Sequence, residues 1–232
     1  MDMQVLVEEG LVLSTEQVGQ FIDNGFVVLE DIVDVASLEI YNDIFWELSL
    51  SCSHEFSKED ENEEGLLELK FPGATYPLLY DMPAHRLSLG IARQLMGEDM
   101  WLEYDTFMCE SDDQMPWRQE NANHPPLPDP RGLSCLVALD DATTENGGLW
   151  MAPGSHTAGA LPHITNNEGK LECIAPFENI QPVELPAGSA VVYNSFTVHC
   201  NRGNSANSKR RAIKTSFRPV DIVNYLDPAK LN

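Results

Sequence analysis

The chain is short of cations, of paired cysteines and of long apolar runs, and each shortage removes a class of function. Lys and Arg number 14 against 37 Asp and Glu, for a formal charge of -23. Nucleic acid and anionic membrane both require basic surface, so neither is an expected partner. A small anion held by a local arginine stays compatible with that balance. The five cysteines (Cys52, Cys109, Cys135, Cys173 and Cys200) are odd in number, widely spaced and without a CxxC pair. That pattern argues against a disulfide framework or a structural zinc site and predicts reduced thiols in a cytoplasmic protein. No apolar stretch approaches the roughly 18 residues of a membrane span. Met1-Asp2-Met3-Gln4 lacks the basic residues of a secretory leader, so none is expected. Internal repeats and linkers are also absent, and residues 1–232 are expected to form one domain.

What is present reads as a globular chain, 43% hydrophobic and 22% charged. Ser14-Thr15-Glu16-Gln17 has capping-box spacing, and Val18, Phe21 and Ile22 recur at helical intervals until Gly25. A short buried strand is predicted over 26–29. Asp34 can cap a second helix with the apolar stripe Leu38, Tyr41, Ile44, Phe45 and Leu48. The acidic stretch from Glu55 to Glu64 predicts an exposed or mobile loop. A third helix is predicted over 84–96, with Leu87, Ile91, Ala92 and Leu95 inward. From Met100 the pattern changes to short β-like runs at 101–108, 133–139, 149–152, 180–185, 190–193 and 212–217, separated by Pro, Gly and Asn clusters. A helical part over about 14–97 and a strand-rich part over about 100–220 predict a mainly β fold with flanking helices. A sandwich or barrel of the jelly-roll kind satisfies that order.

An ordered set of motifs runs through the second part. It comprises Leu133-Ser134-Cys135-Leu136, Glu145-Asn146-Gly147, Pro153-Gly154-Ser155-His156, Pro186-Ala187-Gly188, His199, Asn204 and Arg210, with Phe21-Ile22 and Asn24-Gly25-Phe26 upstream. The set resembles the phytanoyl-CoA dioxygenase-like branch of the iron(II)/2-oxoglutarate oxygenases. That resemblance implies a double-stranded β-helix (jelly-roll, cupin-like) core, Fe(II) and 2-oxoglutarate as cofactors, and a small hydrophobic metabolite of a biosynthetic pathway as substrate. Such a site needs two histidines and one carboxylate on one face of the metal, with open positions opposite. In the family a Trp-His-x-Asp segment about fifteen residues before Leu133 supplies two ligands, and a distal histidine supplies the third. His199 matches the distal histidine. Arg210, eleven residues later, matches the 2-oxoglutarate arginine, and Asn204 also fits.

The proximal pair departs from the pattern, because the segment reads Trp117-Arg118-Gln119-Glu120. A guanidinium has no lone pair to give a metal. The surviving candidate ligands are therefore His199 and Glu120, with Arg118, Glu120 and His199 as the candidate catalytic group. One reading of Arg118 is a fixed cation that neutralises Glu120 and any bound carboxylate; the other turns it outward to Asp112 or Asp113. His124 is a candidate replacement ligand, set in a proline-rich stretch. The segment 107–114, where the family often carries a basic residue, is acidic here. His156 is expected to be structural, and Trp117, Trp150 and Tyr104 are pocket or core aromatics. Three functions follow from the resemblance: an auxiliary subunit supporting an intact paralogue in a heterodimer, an active dioxygenase with unusual ligands, or a metal-free isomerase or cyclase using the same pocket.

Overall fold

The computed structural model describes residues 12–52, 67–110, 114–120, 131–174, 177–206, 208 and 210–220. The acidic stretch 55–64, Asp112, Asp113 and His124 lie outside them. Helix α1 (Thr15–Asn24) forms where its caps require. The Gln17 amide donates to Ser14 Oγ, the Ser14 amide donates to the Gln17 side chain, and Gly25 ends the helix at φ 81°. Val18 and Phe21 pack on the core, whereas Ile22 is 62% exposed. At 100° per residue, Ile22 lies a step round from the Val18–Phe21 stripe and misses the core, contrary to the predicted face. After strand β1 (Phe26–Leu29), Asp34 Oδ1 accepts the Ser37 amide at 2.8 Å and so caps helix α2 (Val35–Cys52). Tyr41, Ile44, Phe45 and Leu48 of α2 are buried.

Strand β2 (Leu67–Lys70) and the short helix α3 (Pro72–Thr75) lead to α4 (Pro83–Met96), which has Pro83 in its first turn. Ten strands follow: β3 (Met100–Glu110), β4 (Gln114–Arg118), β5 (Leu133–Ala138), β6 (Leu149–Met151), β7 (His163–Thr165), β8 (Leu171–Cys173), β9 (Gln181–Val183), β10 (Ala190–Asn194), β11 (His199–Arg202) and β12 (Arg210–Pro219). A six-stranded sheet has the order β1-β10-β5-β12-β3-β2. A four-stranded sheet has the order β4-β11-β6-β9, and β7 pairs with β8. The described strand pairings are antiparallel, and the two larger sheets form the jelly-roll core.

Side-chain alternation sorts the large sheet's two faces. Cys135, Val137, Ala190, Val192, Ile213 and Phe217 pack with the helices. Leu136, Ala138, Val191, Tyr193 and Ala212 cluster instead with Met151 and Val183 of the small sheet. The same alternation along β12 puts Lys214 on the face of Ala212, between the sheets.

Gly25 is where α1, the 154–158 turn and the β10–β11 turn meet. A Cβ there would lie 2.4 Å from His156 Nδ1 and 2.5 Å from Thr197 Oγ1, whereas Gly97, at φ 84°, has nothing within 4 Å of its own Cβ position. Gly25→Ala and Gly97→Ala are therefore each expected to cost about 1–3 kcal/mol, the first chiefly through the clash and the second through a backbone at φ 84°, ψ −170° that residues with a Cβ hardly adopt. Urea unfolding of both variants measures the two costs.

Candidate functional site

The site assembles where β4 leaves the small sheet. Arg118, the last residue of β4, is the register partner of His199, the first residue of β11. Beyond Arg118 the chain is latched to the turn that precedes β11. The Gln119 side chain donates to Gly159 O at 2.8 Å and Phe196 O at 2.7 Å, and it accepts the Leu161 amide at 2.8 Å. The Gln119 amide donates to His163 Nε2 at 3.1 Å, and the Glu120 amide donates to Ser195 O at 3.1 Å. Gln119 is thus buried and fully engaged, while its neighbours Arg118 and Glu120 point toward the gap between the sheets.

Glu120 is the centre of that gap. Lys214 Nζ lies 2.8 Å from Glu120 Oε1, Tyr193 donates its hydroxyl at 3.0 Å, and His199 Nε2 stands 3.2 Å away. The His199 contact has ion-pair distance without hydrogen-bond alignment. Its Nδ1 donates to Thr197 O at 2.9 Å, which turns Nε2 into the site. Burial alone would raise the Glu120 carboxyl, but Lys214, then His199 and Arg118, outweigh it and hold the group well below its ordinary value. Burial lowers His199, with Glu120 opposing, and burial with Glu120 beside it pushes the Tyr193 hydroxyl well up. Arg118 Nη1 is buried without a hydrogen-bond partner.

Arg210 and Asn204 meet elsewhere. Arg210 is buried, its Nε donates to Asn146 O at 3.2 Å, and burial pushes its guanidinium down to about 10. Asn204 forms a bridge with Asn146, and its side-chain amide donates to Ser208 O. Arg210 precedes Lys214 by four residues on the same face of β12, so about 13 Å of strand separates them. Arg211 faces the other way and grips Asp140 through Nε at 2.8 Å and Nη2 at 2.7 Å. The structure therefore brings Arg118, Glu120 and His199 together and places Arg210 with Asn204 at a second point.

Sequence reasoning missed Lys214 and Tyr193. The cation in contact with Glu120 is Lys214, whereas Arg118 acts on it from farther off. The signal lay in the alternation: Ile213 and Phe217 face the helices, which turns Lys214 inward. His156 is structural as expected, donating from Nε2 to Ile22 O at 3.0 Å, and His163 serves Gln119. Trp117 packs on Phe177 at 4.8 Å, and Arg202 covers Trp150 at 3.8 Å. His85 pairs with Asp105 at 3.0 Å on the helix side of β3.

An Fe(II) ion fits this donor set poorly. His199 is presented as a ligating histidine would be, and Glu120 is its only carboxylate neighbour at the three family positions. The third position is a guanidinium, and an ammonium already holds the carboxylate. A unit cation about 4 Å away opposes each unit of metal charge by roughly 4 kcal/mol at an effective dielectric of 20.

The family described as Phytanoyl-CoA dioxygenase (PhyH) matches residues 21–212. Ectoine dioxygenase of Stutzerimonas stutzeri (strain A1501) is 29% identical over 166 residues, which is 60% of this chain and 53% of that protein. L-proline trans-4-hydroxylase of Streptomyces griseoviridis is 24% identical over 159 residues, 57% of this chain and 59% of that protein. The chain thus spans between half and three fifths of these relatives' length. Among solved structures, EvdO2 from Micromonospora carbonacea var. aurantiaca complexed with 2-oxoglutarate superposes with a TM-score of 0.75 at 22% identity, covering 89% of this chain and 91% of that one. At that identity the likeness shows the shared fold.

The site's electrostatics set an acid sensitivity. Both depressed groups contribute stability that is complete above their ordinary values, 6.5 for His199 and 4.5 for Glu120, and is lost as pH falls through the folded values. The thermal midpoint is expected to drop in two stages as pH falls, the upper absent in His199→Gln and the lower absent in Glu120→Gln. Lys214→Met, which strands the carboxylate, is expected to cost about 2–4 kcal/mol at pH 7, partly recovered by adding Glu120→Gln. Denaturant titration of the two variants checks both parts.

Proposed function

The chain belongs to the phytanoyl-CoA dioxygenase family, and we propose that within it this member is an auxiliary, metal-free subunit. It supports an oxygenase paralogue that keeps the His-x-Asp pair, in the metabolism of a small hydrophobic metabolite. The observation that carries this reading is Lys214 Nζ at 2.8 Å from Glu120 Oε1. The carboxylate left for a metal is committed to an internal ammonium, with the Arg118 guanidinium in the place of a ligand. Tyr193 and His199 complete the carboxylate's shell, so the pocket holds its shape through side chains alone. Arg210 and Asn204, at the sequence positions the family resemblance expects, are buried, which suits a structural copy of the fold. With iron and its ligands in disagreement, the residues here bind and shape; they route no oxygen chemistry.

The inward presentation of His199 Nε2 favours a second reading, an active dioxygenase with Glu120 and His199 as ligands. The two readings part under one experiment. Purified chain is titrated anaerobically with Fe(II) and 2-oxoglutarate, then co-expressed with a paralogue bearing the intact pair. The auxiliary reading expects no stoichiometric iron, no visible metal-to-ligand charge-transfer band, and a co-purifying complex. A strong band would establish the active reading, and separated chains would remove the subunit role. Arg118→His with Glu120→Asp is expected to remain bandless while Lys214 is present, and Lys214→Met added to that pair is expected to bring the band up.

A further inference from the structure

Among the described residues, the Arg118 Nη1 donor has no acceptor. It is buried beside Glu120, His199 and Tyr193. A buried donor left unpaired costs about 1–3 kcal/mol, and more when charged, so such groups are rare without a purpose. The charges around it do not balance either. Among the described residues, Arg118 and Lys214 bring two positive charges against the carboxylate of Glu120, and a proton on His199 could only add to the surplus. Glu68 is occupied elsewhere, taking the Tyr104 hydroxyl and lying 3.7 Å from Lys70. Beside it the Glu120 side chain keeps 15% and that of Lys214 12% of its exposure, while Arg118 Nη1 itself is closed off, so a ligand reaches it only as these side chains part.

From this juxtaposition we propose that Arg118, backed by Lys214, binds the carboxylate of a small organic acid without a metal. A planar guanidinium grips a carboxylate through two parallel hydrogen bonds, and one added negative charge neutralises the cluster. The arrangement reverses the polarity of the position. Where a metal would recruit a ligand by coordination, the side-chain cations recruit it by charge and hydrogen bonding. The proposal rests on the metal-free reading of the site. It also changes what the position selects, because chelating a metal requires a second donor, such as a 2-oxo group, next to the carboxylate. A guanidinium has no such requirement.

The test is calorimetric titration of the full chain, in excess chelator, with 2-oxoglutarate and with glutarate. Both acids are expected to bind, with dissociation constants within about threefold of each other. Arg118→Gln is expected to weaken both by at least tenfold while its thermal midpoint holds or rises, since an uncompensated buried charge has been removed. Should that variant fail to fold, Arg118→Lys keeps the charge without the fork and is expected to lose several-fold. Binding that requires added Fe(II), a preference above tenfold for 2-oxoglutarate, or unchanged affinity in a folded Arg118 variant would each overturn the proposal. Iron content of the purified chain is measured alongside. Bound iron sinks the metal-free reading, whereas an iron-free chain that takes up neither acid sinks the anion site alone.

Discussion

The gap between the two sheets is organised by one requirement: the Glu120 carboxylate is withdrawn from water and must be compensated there. An isolated buried carboxylate is too costly to persist as an ion, so its partners have to arrive from the surrounding strands. They come from both sheets. Lys214 and Tyr193 reach in from β12 and β10 of the large sheet, and His199 stands at the start of β11 in the small one. Each contact is modest, but together they tie the faces across the core where apolar packing gives way to polar groups. The Gln119 amide next door serves the same end, since its bonds to Gly159, Phe196 and Leu161 fix the direction in which Glu120 leaves β4. Positioning and charge compensation are therefore one device, built on two consecutive residues.

Much of the fold was legible because its signals are local. Ser14, Gln17 and Gly25 bound α1 through bonds within a few residues, and Asp34 starts α2 in the same way. Strands such as β5 and β10 announce themselves as short apolar runs, buried on both faces. β4 and β11 do not, since Gln114–Arg118 is short and interrupted by Pro116, His199–Arg202 is short and polar, and they are strands only because partners pair with them. The motif frame still located Arg118, Glu120 and His199 by order and spacing. Order alone could not show which cation meets Glu120. Lys214 sits 94 residues from Glu120 in the chain, and the contact exists only once β12 is placed in the sheet with its even-numbered residues inward. Ile22 failed for a related reason: helical periodicity predicts a stripe, but the width of the stripe is set by what the helix packs against.

A metal ion and a fixed side-chain cation solve the same electrostatic problem with different consequences. The metal is exchangeable and leaves open coordination positions, so a pocket built around it changes with loading. Lys214 is covalently part of the chain and fills its position whenever β12 is in the sheet. The form of this cluster is then set by the chain itself. Yet the replacement overshoots, because Arg118 adds a second positive charge where Glu120 requires only one. That surplus has no structural justification among the described contacts: its Nη1 satisfies nothing, and Glu120 is already held by Lys214, Tyr193 and His199. A substitution selected only to silence the metal would be cheaper with a neutral side chain, which would bring no buried charge. An arginine at position 118 is therefore better explained by an anion it receives than by a metal it excludes.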